Sequence, residues 1–379
     1  MNVRIYDGDT HIVEPPALWQ DRVPTKFKAL APRWVKNDDG SESWVYEDGR
    51  RVSPVAGMMA PSGTSPVTWD LYSRTTYGEI RRGAYDPEAR LHDMDTDFVY
   101  AHVLHPTLAL SGPTNFSRDN VELQLVCTRA YNDWMSEFCS TDLDRLIGLA
   151  LLPISGIEDT IAELERVRDL PGIDGVLLTA WPNGRATPLP EDDKFWAAAA
   201  AADMPVVLHV GITGSSEQDA FMGFMKLGDR SLVLGHINLE RTAHAIMEAL
   251  SYIIIGGVLQ RHPALTIVGT ETGIGWIPFF LEQTDDNFRR HRFWAETELT
   301  MLPSEYYRRQ CFNTFQVDRA GILARDGIVE NIVWSSDFPH TGADWPNSTV
   351  TIEHNLVGVP EDERRLILTE NCRRAFRLA

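Results

Sequence analysis

Residues 205–211 read PVVLHVG, a short apolar run with one histidine, His209, near its end. A run that is apolar at consecutive positions is typical of a parallel strand that is buried on both of its faces. Two further stretches have the same character, GVLLTA at residues 175–180 and IVWSS at residues 332–336. The three runs predict a parallel sheet with helices packed against one face and a core of side chains packed against the other.

Comparable apolar runs recur along the chain and alternate with helix-length patterns, which predicts βα units. The candidate strands are residues 3–9, 98–105, 146–152, 175–179, 206–210, 265–271, 311–316 and 332–337. Eight such strands favour an α/β fold of the (β/α)8 TIM-barrel class, with an open doubly wound sheet as the alternative. The 379 residues, 43% of them hydrophobic, fit one domain over residues 1–379 with insertions.

The longest interruption of this pattern is the segment 15–90, rich in Pro, Gly, Trp and Tyr. It follows the carboxyl end of the first strand, the face at which barrel active sites lie, so we expect a lid or wall over the pocket. An arm that contacts another subunit is the alternative. A second insertion, residues 211–239, flanks the same mouth.

Charge and cysteine content exclude several classes of partner. The formal net charge is -19, and nucleic acids or anionic membranes require concentrated Lys and Arg instead. The four cysteines show no CxxC spacing and lie in apolar contexts, as expected of buried thiols in a reducing compartment. The N-terminus has no apolar core of a signal peptide and no stretch is long enough to span a membrane, so we expect a cytoplasmic protein.

The first strand carries a candidate metal-binding pair within YDGDTHIVEP, residues 6–15. Asp9 and His11 are two residues apart, so in a strand both side chains point to the same face. A carboxylate and an imidazole are ligands that Zn, Mn and Fe accept. Glu14 lies just beyond and is a further candidate ligand, although Glu-Pro-Pro also fits a plain loop start.

Two later strands end in residues of the same types. His209 closes its strand before Gly211, and Asp337 ends an apolar run with His340 three residues further on. By itself a histidine in an apolar strand is more often a core residue, whereas a buried aspartate must be solvated, paired or bound to a metal. Because all these residues fall at the carboxyl ends of strands, the sequence predicts one shared site there.

The chain resembles the amidohydrolase-related family that includes the aminocarboxymuconate-semialdehyde and resorcylate decarboxylases. The resemblance rests on DGDTHIVEP, YDPEARLHDMD, YNDWMSEFC, RLIGLALLP, PVVLHVG, GGVLQRHPALTIVGTETGIGWIP, SDFPH and NCRRAF, which together span nearly the whole chain. In that family strand one supplies an acidic residue or histidine and a second histidine, strand five a histidine, and strand eight an aspartate. The resemblance therefore implies a metal-dependent enzyme whose ligands are Asp9, His11, His209 and Asp337.

One position departs from the family pattern. Decarboxylases of this family end strand six with a histidine that acts as an acid or base, and Glu271 occupies that place here, in HPALTIVGTETG. A glutamate can move protons or bind a second metal ion, and an ion pair with an arginine is the alternative. His236, in LVLGHINLERTAH, is a second candidate proton carrier, with a surface helix start as its alternative. His340 is a candidate ligand of a second ion.

Four residues are candidates for contact with the substrate. His105 ends the second strand in FVYAHVLHPT and is more suited to the pocket than His102. Trp69, Tyr72 and Arg74 lie in the long insertion, where aromatic rings and a guanidinium group are suited to a small carboxylate.

The leading functional prediction is metal-assisted hydrolysis or decarboxylation of a small carboxylate or carbonyl compound, with one or two divalent ions (Zn, Mn or Fe) per chain. The first alternative is a non-haem di-iron or manganese oxygenase that hydroxylates an unactivated carbon, since Asp9, Glu14, Glu271 and Asp337 offer a carboxylate-rich site. The second is a catalytically inactive structural partner of an active paralogue. We also expect a homo-oligomer, or a hetero-oligomer with a related chain.

Overall fold

The computed structural model describes residues 3–38, 40–47, 49, 51–52, 63, 68, 76–111, 116–117, 119–185, 187–210, 212 and 243–378. Eight parallel strands among these residues form one sheet, in which neighbouring strands follow one another in chain order. Their bounds are β1 Tyr6–His11, β5 Ala101–His105, β6 Leu146–Leu151, β7 Ile173–Leu177, β8 Val206–His209, β9 Ile267–Thr270, β10 Cys311–Phe315 and β11 Ile332–Trp334. The predicted (β/α)8 barrel and its eight strands are confirmed, with strand ends displaced by a few residues.

Hydrogen bonds between β1 and the segment after β11 close the sheet. Asp337 N donates to Asp9 O over 3.0 Å, and His11 N donates to Phe338 O over 2.6 Å. Regular pairing of β11 stops at Trp334, so Asp337 follows the strand instead of ending it as the hydropathy predicted. The closing bonds bring the carboxyl ends of the first and last strands together.

Helices form the outer layer of the barrel. The described helices are α1 Leu18–Arg22, α2 Pro87–Thr96, α3 Val121–Cys139, α4 Ile157–Val167, α5 Asp193–Ala201, α6 His244–Ile255, α7 Val258–Arg261, α8 Ile277–His291, α9 Pro303–Gln310, α10 Arg319–Leu323, α11 Ser348–Asn355, α12 Glu361–Arg365 and α13 Asn371–Ala375. Side-chain caps define some of their starts: Asp86 accepts from Ala89 N, and Asn120 accepts from Leu123 N.

Close packing of the helices on the sheet requires a small residue on β6. A Cβ atom on Gly148 would lie 2.8 Å from Gly172 O and 2.9 Å from Cys139 Sγ. The four cysteines are all buried and unpaired, as their apolar contexts predicted. No helix among the described residues has both the length and the apolarity that a membrane crossing needs.

The long insertion has a small sheet of its own. Its three antiparallel strands are β2 Arg33–Lys36, β3 Glu42–Val45 and β4 Arg51–Val52, in the order β2-β3-β4. The start of the insertion is fixed to α3, because Trp19 Nε1 donates to Cys127 O over 3.1 Å. Most of residues 53–75 lie outside the described residues, so the prediction that residues 15–90 cover the catalytic face stays a prediction.

Candidate metal centre

Four side chains from three separate parts of the barrel meet at the carboxyl ends of the strands. Asp9 and His11 come from β1, His209 is the last residue of β8, and Asp337 follows β11. All four are buried, with exposed fractions between 0% for His11 and 6% for His209. The parallel register explains the meeting, since all these strands run in one direction and end at one face.

The donor atoms have the spacing of ligands that share one ion. His11 Nε2 lies 3.2 Å from His209 Nε2, 3.4 Å from Asp337 Oδ1 and 3.7 Å from Asp9 Oδ1. Asp9 Oδ1 is 3.8 Å from His209 Nε2. Ligand atoms at about 2.1 Å from a tetrahedral ion are about 3.4 Å apart. The side chains can therefore hold a divalent ion with little rearrangement.

Unpaired polar atoms also indicate a cation. Both carboxylate oxygens of Asp9, Asp337 Oδ1 and His209 Nδ1 are buried without a hydrogen-bond partner. Among the described residues, only histidine nitrogens lie within ion-pair distance of the Asp9 and Asp337 carboxylates. Buried carboxylates without a partner are costly by several kcal/mol, and a bound cation removes that cost.

The electrostatic environment favours neutral imidazoles beside acidic groups. Burial lowers the pKa of His11 and of His209 well below the usual value, and neighbouring histidines lower both further. Burial raises the pKa of Asp9, and the carboxylates of Asp337 and Glu271 raise it further. Neutral histidines are the form that binds a metal, and a cation would stabilise the ionised form of Asp9.

A backbone carbonyl fixes the orientation of His11. Its Nδ1 lies 2.7 Å from Pro106 O. Because a carbonyl oxygen only accepts, Nδ1 carries the proton and the lone pair of Nε2 faces the cluster.

Among the described residues, the donors of the cluster form two overlapping groups, Asp9–His11–His209 and His11–Asp337–His340. Both depend on His11, whose Nε2 offers a single lone pair. The two groups therefore describe one ion position and not two. His340 lies at its edge, with Nδ1 2.7 Å from Asp337 Oδ1 and its ring stacked on His11 at a centroid distance of 4.1 Å.

Glu271 faces this cluster from the end of β9. Its Oε2 lies 3.3 Å from His209 Nε2, and its side chain is 24% exposed. Glu271, Val210 and Asp337 all have positive φ angles, of 55°, 50° and 60°. Such angles are strained for residues other than glycine, and strained residues of this kind concentrate at functional sites.

Comparisons with known proteins identify the family. The family model described as Amidohydrolase matches residues 7–378. The chain belongs to the amidohydrolase family. It is 25% identical over 316 residues to a gamma-resorcylate decarboxylase of Rhizobium radiobacter, across 77% of this chain and 87% of the relative.

Two solved structures share the fold of this amidohydrolase. An amidohydrolase from Mycobacterium avium subsp. paratuberculosis K-10 superposes with a TM-score of 0.76 at 20% identity, covering 99% of this chain and 100% of the other. A dihydroxybenzoic acid decarboxylase from Polaromonas sp. JS666, with bound manganese and the inhibitor 2-nitroresorcinol, gives a TM-score of 0.63 at 18% identity. There the coverage is 100% of this chain and 98% of the other.

The remaining candidate residues of this amidohydrolase do not share one location. His105 is fully buried, with Nδ1 3.2 Å from Asp9 Oδ1. Glu14, the further candidate ligand, accepts backbone N–H groups of residues 107–109 through its carboxylate and is in neither donor group. The candidates that lie outside the described residues are His236, Trp69, Tyr72 and Arg74.

Sequence reasoning missed Arg90, which contacts the main chain of the proposed ligand His11. Arg90 is fully buried, and its guanidinium donates to His11 O and to Gly83 O. Nη1 also lies 3.2 Å from His102 Nδ1. The sequence feature that could have revealed it is its place in the motif YDPEARLHDMD, but periodicity does not distinguish a buried arginine from one on a solvated helix face.

Proposed function

We propose that this amidohydrolase is a metal-dependent decarboxylase that removes the carboxylate group of a small aromatic acid as CO2. The proposal rests on one observation above all: both oxygens of the Asp9 carboxylate and Oδ1 of Asp337, which are buried without hydrogen-bond partners, face two neutral histidines at the catalytic end of the barrel. The similarity to a gamma-resorcylate decarboxylase supports the choice of decarboxylation over hydrolysis.

In this proposal Asp9, His11, His209 and Asp337 bind a divalent ion. Manganese is the first candidate because the Polaromonas decarboxylase binds it. When bound, such an ion would act as a Lewis acid towards the carboxylate and a neighbouring hydroxyl group of the substrate. The mixed nitrogen and oxygen donor set is compatible with Mn, Fe and Zn.

Glu271 is the residue that we assign to proton transfer. As a carboxylic acid it protonates the ring carbon that bears the carboxylate group. The C–C bond then breaks, its electron pair restores the aromatic ring, and CO2 leaves. The Glu271 carboxylate regains a proton from solvent, so the net reaction consumes one proton and yields the decarboxylated arene and CO2. Its contact with His209 places this carboxyl group beside the cluster.

The test uses the full chain loaded with Mn²⁺ and incubated with 2,6-dihydroxybenzoate or 5-carboxyvanillate in D2O. Decarboxylation is expected to release CO2 and to leave one deuterium at the former carboxylate position, measured by mass spectrometry and NMR of the phenol. Loaded protein that turns over neither compound, or that gives an oxygenated product, would contradict the proposal. The metal-free chain is the control for background decarboxylation.

A further inference from the structure

The Glu14 carboxylate binds the start of the loop that follows β5. It is fully buried and accepts hydrogen bonds from Thr107 N at 3.3 Å, Leu108 N at 2.9 Å and Ala109 N at 3.0 Å. These amides begin a 3-10 helix, Leu108–Ser111, where backbone N–H groups have no acceptor within the helix. Burial raises the pKa of Glu14 to about 6, so both oxygens are ionised acceptors at neutral pH.

The same loop touches His11 one residue earlier. Pro106 O accepts the Nδ1 proton of His11 over 2.7 Å. The loop is also attached to the main chain just after His11, because Thr107 Oγ1 donates to Ile12 O over 2.7 Å and Ile12 N donates to His105 O over 2.9 Å. Glu14 and His11 thus lie three residues apart on one segment and both bind the loop of residues 106–109.

Glu14 and His11 are therefore connected in two ways. One connection is the main chain between them. The other runs from the Glu14 carboxylate through the amides of residues 107–109 and the Pro106 carbonyl to the His11 ring. A displacement of the loop would move the acceptor that fixes the tautomer and orientation of the His11 ring.

We propose that Glu14 is a positioning residue of the metal centre, which holds the Pro106 carbonyl in place and thereby aims His11 Nε2 at the ion. The inference rests on the proposed ligand role of His11. Glu14 does not touch the ion, and its effect is on affinity and ligand geometry. Mutation of a residue that orients a ligating histidine without touching the metal typically lowers metal affinity 10- to 100-fold.

The experiment compares the wild type with Glu14→Gln in the full chain. Glutamine keeps the size of the side chain but offers a single acceptor oxygen, and its amide group faces a backbone donor. We expect Co²⁺ affinity, measured by titration of the metal-free protein, to fall 10- to 100-fold. The visible absorption of bound Co²⁺ should also change in band position or intensity, because the His11 ring is less firmly oriented.

Asp285→Asn is the matched control. Asp285 is a buried carboxylate that accepts from Ser304 N and Ser304 Oγ, between α8 and α9, outside the barrel. This variant should lower thermal stability while leaving Co²⁺ affinity within twofold of the wild type and the Co²⁺ spectrum unchanged. A general loss of packing would instead lower affinity in both variants, and that result would overturn the inference.

Thr107→Val is the second variant, in case Glu14→Gln does not fold. Valine is close to threonine in shape and removes the hydrogen bond to Ile12 O, so we expect a smaller loss of Co²⁺ affinity, of about threefold to tenfold, through the same loop. Wild-type affinity and spectrum in both folded variants would overturn the inference while leaving the metal centre intact. A wild type that binds no Co²⁺ would overturn the metal centre and the inference together.

Discussion

The backbone N–H of Asp337 donates to the carbonyl oxygen of Asp9 over 3.0 Å, so two residues whose carboxylates have buried oxygens without a hydrogen-bond partner also take part in closing the barrel. Asp9 belongs to the first strand and Asp337 follows the last. Correct closure therefore brings both carboxylates within 4 Å of His11 Nε2, and their mutual repulsion in a buried site favours a bound cation.

The first prediction concerns the proposed ligands. His11→Ala removes the nitrogen that both donor groups share, so metal content measured by elemental analysis should fall from close to one ion per chain to below about 0.1. The circular dichroism spectrum should stay that of the wild type, because the barrel strands do not depend on this side chain. The exposed His92, replaced by alanine, is the control and should retain the metal.

The second prediction separates the decarboxylase from the oxygenase alternative. If Glu271 transfers a proton, Glu271→Gln should keep one ion per chain and lower kcat by about 10²- to 10⁴-fold. Elemental analysis of Glu271→Gln and the wild type, each loaded with Mn²⁺ or Fe²⁺, is the measurement. Two ions per chain in the wild type and one in the variant would contradict the single-ion interpretation and favour the oxygenase.

The third prediction is a pH dependence of stability that arises at Asp174, far along the chain from the proposed ligands. Burial raises the pKa of Asp174 from 3.8 to about 6. The folded state therefore holds a proton that the unfolded state releases between these pH values. The stabilisation by this proton is complete below about pH 4 and is lost as the pH rises through 6.

Asp174→Asn removes this titration. Relative to the wild type, the variant should gain stability as the pH rises from 4 to 8, by up to about 3 kcal/mol at 1.36 kcal/mol per unit of pKa. Urea unfolding at pH 4, 6 and 8 measures the difference. A difference between the two proteins that is constant over this range would show that Asp174 titrates normally in the folded state.

The fold, and the meeting of the four proposed ligands at one end of the barrel, were predictable because each depends on local patterns. Strands that are buried on both faces appear as continuous apolar runs, and a ligand at a strand end appears as a polar residue that closes such a run. His209 follows this rule closely. Glu14 does not, since its acidic side chain three residues after His11 has the same appearance whether it binds an ion or backbone amides. The position of the loop at residues 106–109, which the sequence does not reveal, is what distinguishes a Glu14 that binds an ion from one that binds backbone amides.

Arg90 provides the last prediction, because it is a fully buried cation whose acceptors are two carbonyl oxygens, those of His11 and Gly83, and the His102 ring. Burial lowers its pKa to about 9, so it remains charged at neutral pH. Arg90→Met retains much of the apolar stem but leaves both carbonyl oxygens buried without a donor, at about 1–3 kcal/mol each. We expect the free energy of unfolding to fall by about 2–5 kcal/mol in urea titrations. Arg82→Met is the control, since Arg82 is exposed and pairs with Asp86 at the surface, where water screens the ion pair and its contribution to stability is small. Equal losses in the two variants would show that the buried contacts of Arg90 do not stabilise the fold.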